Sequence, residues 1–510
     1  MKRIKYAIIA ALLLITLLIP FAGCSDKSSV KLLDENIVDD HYDNYYEIFV
    51  YSFCDSDGDG YGDLNGVTSK LDYIRDLGYT AIWLMPINEC QSYHGYDVKN
   101  YYEIYSKYGT IADYENLLKE AHKRGIKVIM DLVVNHTASS NPWFVSAVNY
   151  HNGWNSDPTY KDWYNFSKTS KSKYHLNGST YYEGQFDRSM PDLNLDCEAV
   201  RAEIENIMKF WLEKGTDGFR LDGVLYYYTD VENARTKSID FCTWIKETAL
   251  KYNEDAYIIG EMWDGMSTTS LAQFYQSGAD SFFYFPAHGS TGNLANAVRS
   301  PDGMLTYWNS LNKMIEVANG YIPAPFLGNH DTARIAGIMS KDPSNIKFAY
   351  GLLSMYNGNT FTYYGDEIGM LGSLNDPDKR IGMLWDNAKT GMTKVPPGSK
   401  NQDYAFDGVK EQLADSNSIL NYYKLCNNAR NAFPAIMRGT PERIPCTVEK
   451  VLIFKKTYNG ESVTIVINFA GEEKTVEAEG TLAQAICVSG SVKQSGKSLK
   501  MPAKSIAILK

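Results

Sequence analysis

The sequence predicts an α/β protein whose main domain is a (β/α)8 barrel, also called a TIM barrel. Between about residues 45 and 367, eight short apolar segments alternate with helix-like amphipathic segments. One connection, at residues 137–196, is much longer than the others and lacks helical periodicity. After about residue 434 short alternating segments follow between glycine-containing turns, and they indicate a small antiparallel β domain.

The eight candidate strands are short apolar runs, at residues 48–53, 81–85, 128–134, 218–222, 257–261, 281–285, 326–329 and 361–364. Amphipathic stretches between them predict helices, for example at residues 66–77, 114–124, 198–214 and 231–252. In a barrel of this type the functional side chains collect at the C-terminal ends of the strands.

The predicted domains follow from these patterns. The barrel takes residues 44–136 and 197–433, and the C-terminal β domain takes residues 434–510. The insertion at 137–196 is rich in Trp, Tyr, Asn and Gly. A connection of this length in a compact domain is usually functional or forms a small domain of its own.

Composition narrows the possible functions. The chain has 510 residues, 44% of them hydrophobic and 22% charged, which is ordinary for a globular protein. Its formal net charge of −11 disfavours nucleic acid and anionic membranes as partners and suits a neutral substrate. The cysteines beyond residue 24 show no CxxC spacing, so we expect free buried thiols rather than a disulfide scaffold or a zinc site.

The N-terminus predicts secretion. Lys2, Arg3 and Lys5 precede an apolar run that is too short for a comfortable membrane span. The run ends in Phe-Ala-Gly-Cys24, which resembles the bacterial lipobox, whose cysteine is diacylated. We therefore expect a lipoprotein signal peptide at 1–23, a polar tether at 24–43 and an extracellular protein anchored to the bacterial membrane only through lipid. An ordinary signal peptide cut nearby is the alternative.

One candidate strand carries an Arg and an Asp two residues apart. Side chains two residues apart in a strand share a face, so Arg220 and Asp222 lie side by side. A guanidinium keeps a neighbouring carboxylate ionised, as a carboxylate nucleophile requires. A purely structural ion pair at a strand end is the alternative interpretation.

Two further acids fall at predicted strand ends. Glu261 ends the fifth strand and Asp331 follows the seventh, at spacings from Asp222 that fit whole barrel units of roughly 30–40 residues. All three carboxyl groups are therefore expected on one rim. Hydrolysis of a glycosidic bond needs carboxyl groups placed in this way, because one carboxylate attacks the sugar and a second carboxyl group protonates the leaving oxygen.

Four segments resemble, in order, the signature regions of the α-amylase family of glycoside hydrolases, at residues 131–136, 218–222, 260–261 and 326–331. The resemblance covers about residues 45–385 and continues more loosely to the C-terminus. It implies a retaining enzyme with a barrel (domain A), an insertion after the third strand (domain B) and a C-terminal β-sandwich (domain C). The segment at 190–194 resembles the domain B motif of members between the oligo-1,6-glucosidase and neopullulanase groups.

The resemblance also implies roles for single residues. Asp222 would be the nucleophile, Glu261 the general acid/base, and Asp331 a third carboxylate that binds sugar hydroxyls in the transition state. Arg220 would orient Asp222. Two histidines, His136 and His330, would hydrogen-bond the sugar in the −1 subsite.

Two more segments resemble substrate-binding parts of the family. His-Gly-Tyr96-Asp97 resembles the segment whose Tyr stacks on the −1 sugar, and core packing is the alternative for Tyr96. Asp376 and Arg380 resemble the pair that holds the −2 sugar, with a solvated charged turn as the alternative.

A calcium site is predicted after the first strand. Carboxylates alternate around a glycine turn, and oxygen ligands of this kind suit Ca²⁺. Gly66 stands where an EF-hand loop needs a bidentate Glu. Oligo-1,6-glucosidase-like members of the family bind one Ca²⁺ in such a loop, which implies as ligands the side chains of Asp55, Asp57, Asp59 and Asp63 and the carbonyl of Tyr61. A merely acidic turn is the alternative.

Two departures from the family bear on specificity. Leu225 and Tyr226 replace a Lys-His pair that in many amylases helps bind the +2 sugar and a second calcium. Gly223 replaces the bulky Val usual in α-1,6-cleaving members, which favours α-1,4 bonds. We expect a secreted, monomeric α-amylase acting on starch and maltooligosaccharides. An exo-acting α-glucosidase, a neopullulanase, a transglycosylase and a non-catalytic glucan-binding protein are the alternatives.

Overall fold

The computed structural model describes residues 31–229, 231–372, 375–400 and 402–510. The predicted signal peptide, Cys24 and the start of the predicted tether lie outside the described residues. Within the described ranges, no helix combines the length and apolar character needed to cross a membrane. All seven cysteines in these ranges are free thiols, and four of them are buried.

Eight parallel strands form the barrel. In chain order they are β1 (Asn44–Ile48), β2 (Ala81–Leu84), β3 (Lys127–Leu132), β4 (Gly218–Leu221), β5 (Tyr257–Gly260), β6 (Ser281–Tyr284), β7 (Ile322–Pro325) and β8 (Thr360–Tyr363). From β1 to β7 each strand pairs with the next along the chain, and β8 pairs with β1. Phe326, one residue beyond β7, forms a parallel bridge with Phe361 of β8 and so closes the ring.

Side chains that point inward fill the barrel. Trp83, Ile129, Phe283 and Phe361 belong to one buried cluster to which the strands contribute from alternate positions. The side-chain period of two in a strand produces this layer, and the opposite faces of the same strands pack against the surrounding helices.

The connections between the strands carry the helices, at Leu64–Ser69, Leu71–Asp76, Ile111–His122, Glu198–Glu213, Ala234–Leu250, Thr268–Phe274, Asn293–Arg299, Gly303–Ala318 and Pro343–Ser354, and Ile419–Ala432 follows β8. Local sequence sets their limits. Thr110 caps the helix Ile111–His122 in a capping box with Asp113. Further short helical segments lie at Val50–Phe53, Ile335–Ile338, Asp376–Lys379, Val409–Ala414 and Pro434–Arg438.

Glycine is required where β4 meets β5. A Cβ atom at Gly218 would lie 1.9 Å from the carbonyl oxygen of Tyr257, so no larger residue fits this pairing. The close approach at Gly218 brings the ends of β4 and β5, which precede Asp222 and Glu261, side by side.

Two strand predictions were wrong in position. The first strand was expected at residues 48–53, but β1 ends at Ile48 and residues 50–53 form a helical turn. The seventh was expected at residues 326–329, whereas β7 is Ile322–Pro325. The sequence pattern did not predict this strand because it contains two prolines, and proline lacks the N–H that pairs with a neighbouring strand.

The long insertion was expected to lack helical structure, and this was wrong in part. It contains a helix, Pro142–His151, whose N-cap Asn141 accepts a hydrogen bond from the Trp143 backbone. A three-stranded antiparallel sheet follows it, formed by Phe166–Ser167, Tyr174–Asn177 and Thr180–Glu183. A separate hairpin, Asn88–Cys90 with Val98–Ile104, lies beyond β2.

The C-terminal region is a β-sandwich. A five-stranded sheet consists, in spatial order, of Thr440–Ile444, Val451–Tyr458, Glu461–Asn468, Ser505–Leu509 and Leu482–Cys487. A three-stranded sheet consists of Lys474–Glu477, Ser498–Met501 and Lys493–Ser495. Apolar side chains from both sheets, among them Val466 and Leu499, form a shared core.

Candidate active site

Three carboxyl groups meet beyond the C-terminal ends of the barrel strands. Asp222 directly follows β4, Glu261 directly follows β5, and Asp331 lies in the loop after β7. All three line one cavity of about 530 Å³. The rest of its wall consists of His94, Tyr96, His136, Phe186, Asp187, Met190, Gly223, Tyr226, Trp263, Gly265, Asp376 and Arg380.

A buried guanidinium joins the acids below the cavity floor. Arg220 Nη1 lies 2.7 Å from Asp131 Oδ1 and 2.7 Å from Asp222 Oδ1. Its Nη2 lies 3.0 Å from Glu261 Oε2. Because the Arg220 side chain is 1% exposed, these ion pairs lie away from water and fix the carboxyl groups relative to one another.

Glu261 has the environment of a proton donor. Burial raises its pKa to about 7, against the opposing charge of Arg220 and with help from the negative charge of Asp222. Its Oε2 also accepts a hydrogen bond of 3.1 Å from the backbone N–H of Gly223. Gly223, the residue next to Asp222, therefore helps to position the carboxyl group of Glu261, which would donate the proton.

Asp331 is held as an anion. Burial alone would raise its pKa, but the charges of His330 and Arg380 outweigh burial and hold the pKa well below its usual range. Asp331 Oδ1 accepts a 2.8 Å hydrogen bond from Arg380 Nη2, and its Oδ2 lies 2.9 Å from His330 Nε2.

The structure brings most of the predicted substrate-binding residues to the cavity. Tyr96, His136, Asp376 and Arg380 line its wall. His136 is buried, which lowers its pKa, and its Nε2–H donates to the Tyr96 carbonyl at 3.1 Å. Arg220 lies below the floor, where it contacts Asp222 as expected.

Two of the predicted substrate-binding residues do not reach the cavity. Asp97 is 0% exposed, and it accepts hydrogen bonds from the backbone and hydroxyl of Ser92. His330 is also 0% exposed; it stacks on the Tyr96 ring with centroids 5.4 Å apart. Both side chains are enclosed by protein partners in this structure, and their predicted role in substrate binding stays a prediction.

Several residues of the site were not assigned from the sequence. Trp263 lies two residues after Glu261, and its position beside a strand end could have indicated a role. Phe186 comes from the insertion, and no sequence pattern shows where that segment returns to the barrel. Glu47 was outside the first predicted strand, yet it lies on β1 and its Oε1 is 2.6 Å from His330 Nδ1.

Phe186 occupies the space above Gly223. A Cβ atom at Gly223, which has φ +51°, would lie 3.0 Å from Phe186 Cζ. The Phe186 ring also lies 5.1 Å from Tyr226 and 5.2 Å from His136, centroid to centroid. The missing side chain at Gly223 thus leaves room for an aromatic wall on this side of the cavity.

An acidic cluster lies in the loop after β1. Asp55, Asp57 and Asp63 each offer an oxygen within 4.8 Å of the others, a donor set that suits Ca²⁺. Asp59 is not part of this group, and its carboxylate pairs with Lys107 at 3.0 Å. The N–H of Tyr61 donates to Asp59 Oδ1 at 2.8 Å, which keeps the loop turned tightly.

Comparison with known proteins identifies the family of the chain. The family described as "Alpha amylase, catalytic domain" matches residues 47–439. The chain belongs to the α-amylase family of glycoside hydrolases. A protein named alpha-amylase 3, from Dictyoglomus thermophilum, is 36% identical over 440 residues, which cover 84% of this chain and 85% of that protein.

Other relatives of this α-amylase family member differ in the bond they are named for. Glucan 1,6-alpha-glucosidase of Streptococcus pneumoniae is 29% identical, with 88% of this chain and 95% of that protein covered. Among solved structures, Eubacterium rectale Amy13B superposes with a TM-score of 0.88 at 39% identity, covering 94% of this chain and 97% of the other. The α-amylase from H. orenii superposes with a TM-score of 0.81 at 32% identity, covering 92% of this chain and 99% of the other.

Proposed function

We propose that this glycoside hydrolase is a secreted α-amylase that cleaves α-1,4 bonds of starch and maltooligosaccharides with retention of configuration. The observation that carries the proposal is the shared guanidinium of Arg220, which bonds both Asp222 and Glu261. Two carboxyl groups on one guanidinium can act on the same sugar as nucleophile and acid, and retention is what the family resemblance implies. The raised pKa of Glu261 suits a general acid.

The chemistry follows from these positions. Asp222 attacks the anomeric carbon of the sugar above it, while Glu261 gives its proton to the departing glycosidic oxygen. The bond to the leaving sugar breaks and an ester to Asp222 forms. Glu261, now a carboxylate, takes a proton from water, and that water displaces Asp222 from the same carbon. Asp331 accepts hydrogen bonds from sugar hydroxyls and offsets the positive charge that develops on the ring.

The preference for α-1,4 bonds rests on Gly223. The resemblance associates a bulky residue at this position with α-1,6 cleavage, and here Phe186 fills the space instead. An aromatic ring offers a flat apolar face to the leaving sugar. Trp263, which is 38% exposed, supplies a second aromatic side chain on the cavity wall.

Product analysis tests this proposal. Amylose and maltotriose are digested with wild type and with Glu261→Gln, and the products are followed in time. A range of maltooligosaccharides from amylose, lost in the variant, is expected of an endo-acting α-amylase. Glucose alone from both substrates would instead identify an exo-acting α-glucosidase, and products longer than the substrate would identify a transglycosylase. Binding without any product would support a non-catalytic protein.

We also propose that Asp55, Asp57 and Asp63 hold one Ca²⁺. Asp57 is the member whose carboxylate is least engaged, since only its Oδ1 accepts a backbone hydrogen bond, from Asp59. Asp63 caps the helix Leu64–Ser69, so a bound cation would tie the loop to that helix. The ion would neutralise the acidic turn and is assigned no part in the bond-breaking steps.

We propose in addition that the protein is a lipoprotein, anchored to the outer face of the bacterial membrane through Cys24. The basic head, the short apolar run and the lipobox-like segment support this proposal. Expression of the full chain and of Cys24→Ala in a bacterium, followed by fractionation, tests it. Membrane retention of wild type and release of the variant are expected, and equal release of both would contradict it.

A further inference from the structure

A buried acid lies behind the catalytic rim, outside the cavity wall. Glu47 is on β1 and is 1% exposed. Its Oε1 is 2.6 Å from His330 Nδ1 and 3.3 Å from the backbone N of the same residue. A charged side chain buried in a barrel is costly unless it is paired, so this contact is the reason that Glu47 is tolerated there.

Both ring nitrogens of His330 face carboxylates. Nδ1 meets Glu47, and Nε2 meets Asp331 Oδ2 at 2.9 Å. An ionised carboxylate can only accept a hydrogen bond, so both contacts need an N–H and the ring must be an imidazolium. Burial would lower the pKa of His330, but the charges of Asp331 and Glu47 outweigh burial and raise it to about 9.

The imidazolium in turn fixes Asp331. Arg380 binds one carboxylate oxygen of Asp331 and His330 binds the other. A neutral imidazole has a single N–H, and one shared with Glu47 would leave Nε2 as an acceptor. Asp331 would then lose one of its two donors and could rotate about the remaining bond to Arg380.

We propose that Glu47 is a positioning residue for the reaction, because it keeps His330 charged and the charged ring orients the carboxylate of Asp331. Glu47 is not among the residues that line the cavity, and it is connected to the cavity through His330 and Asp331. The inference rests on the proposed role of Asp331, but the protonation of His330 can be measured without turnover.

The neighbouring titratable groups act on the protonation of His330 in different directions, because the acids favour the charged ring and the positive charge of Arg380 opposes it. Tyr96 OH lies 2.7 Å from His330 Nε2, and Arg380 Nε donates to the His330 carbonyl at 3.2 Å. Asp131 and Glu261 also act on the ring through their charges. Because burial raises the pKa of Asp131 to about 6 and of Glu261 to about 7, both gain negative charge before His330 loses its proton.

The first test is the titration of His330 in the wild-type protein. The ring carbons of labelled histidines are followed by NMR, and the His330 signal is assigned by its loss in His330→Gln. The signal should keep its imidazolium shift from about pH 5 to about pH 8, since an unperturbed histidine titrates near about 6.5. Titration near that ordinary value would overturn the proposal, whatever the activity of any variant.

The second test is Glu47→Gln, which keeps the size of the side chain and removes its charge. The pKa of His330 should fall by at least about one unit, a tenfold change in its protonation equilibrium. With the pKa of His330 moving from about 9 to about 8, the ratio of variant to wild-type kcat should fall about twofold between about pH 5.5 and about pH 8, and about fivefold by about pH 9, with KM changing little.

Glu367→Gln is the matched control. Glu367 is equally buried, and its carboxylate binds the hydroxyls of Tyr46 and Tyr73 at 2.6 Å instead of a histidine. This variant should leave the His330 titration unchanged and any loss of kcat independent of pH. If the loss in Glu47→Gln is also the same at every pH, Glu47 is only structural and the proposal is wrong. If the wild-type protein has no hydrolytic activity, the proposed function is wrong. The NMR titration would still test whether His330 is charged.

Discussion

Removal of the Arg220 guanidinium should destabilise the protein in a way that depends on pH. In Arg220→Met, a chain of similar length replaces the group that pairs Asp131, Asp222 and Glu261. Three carboxyl groups then share a buried pocket without their cation. Removing one partner of a buried ion pair costs about 3–5 kcal/mol, because the remaining charge is left uncompensated.

The size of the effect can be converted to a melting temperature. The catalytic domain spans residues 47–439, and unfolding entropy is roughly 2 cal/mol/K per residue. Taken as one cooperative unit, the domain should therefore melt about 4–6 °C lower at neutral pH.

The pH dependence supplies the sharper test of Arg220. In wild type, burial raises the pKa of Asp131 to about 6 and of Glu261 to about 7, above their unfolded values. Arg220 opposes both shifts, so its loss raises both values further. Below both values these groups are protonated in either protein, and the missing cation matters less. Calorimetry of both proteins should show the gap in Tm narrowing from about pH 8 to about pH 5. A gap that stays constant or widens would refute the reasoning.

Two further predictions concern the acid and the metal. Wild-type kcat should fall as the pH rises through about 7, because Glu261 must hold its proton to donate it; a fall centred below about pH 5.5, the range of an unperturbed Glu, would contradict its role. Chelation should lower Tm by about 3 °C in wild type, because ligand at about 100 times Kd adds about 2.7 kcal/mol of stability. The same shift is expected in the control Asp162→Asn, since this side chain is exposed and lies outside the acidic cluster. Asp57→Asn should lose this shift, and a full shift in that variant would remove the calcium assignment.

The fold could be predicted because its signals are local and repeated. β3 and β5 are apolar runs, and the capped helix Ile111–His122 has a clear period. β1 and β7 were misplaced for different reasons. β1 carries the charged Glu47 in its sequence, and β7 carries two prolines, so neither looks like a buried strand until closure of the barrel provides their partners.

The floor of the site could also be predicted, since Arg220 and Asp222 share a strand and a face. Its wall could be predicted only in part. Phe186 returns from the insertion to cover Gly223, and this contact depends on tertiary packing rather than on spacing. Asp97 and His330 carry the right motifs but are enclosed by Ser92, Glu47 and other partners. A motif gives residue types in order and does not show which side of a loop faces the cavity.

Direct capture of the intermediate tests the proposed reaction best. The protein is incubated with 5-fluoro-α-glucosyl fluoride, an activated sugar whose ester to the enzyme breaks down slowly, and its peptides are analysed by mass spectrometry. The peptide that contains Asp222 should gain one fluoroglucosyl group, and Asp222→Asn should gain none. A label on Glu261 or Asp331, or turnover with no ester in either protein, would contradict the assignment of Asp222 as the nucleophile.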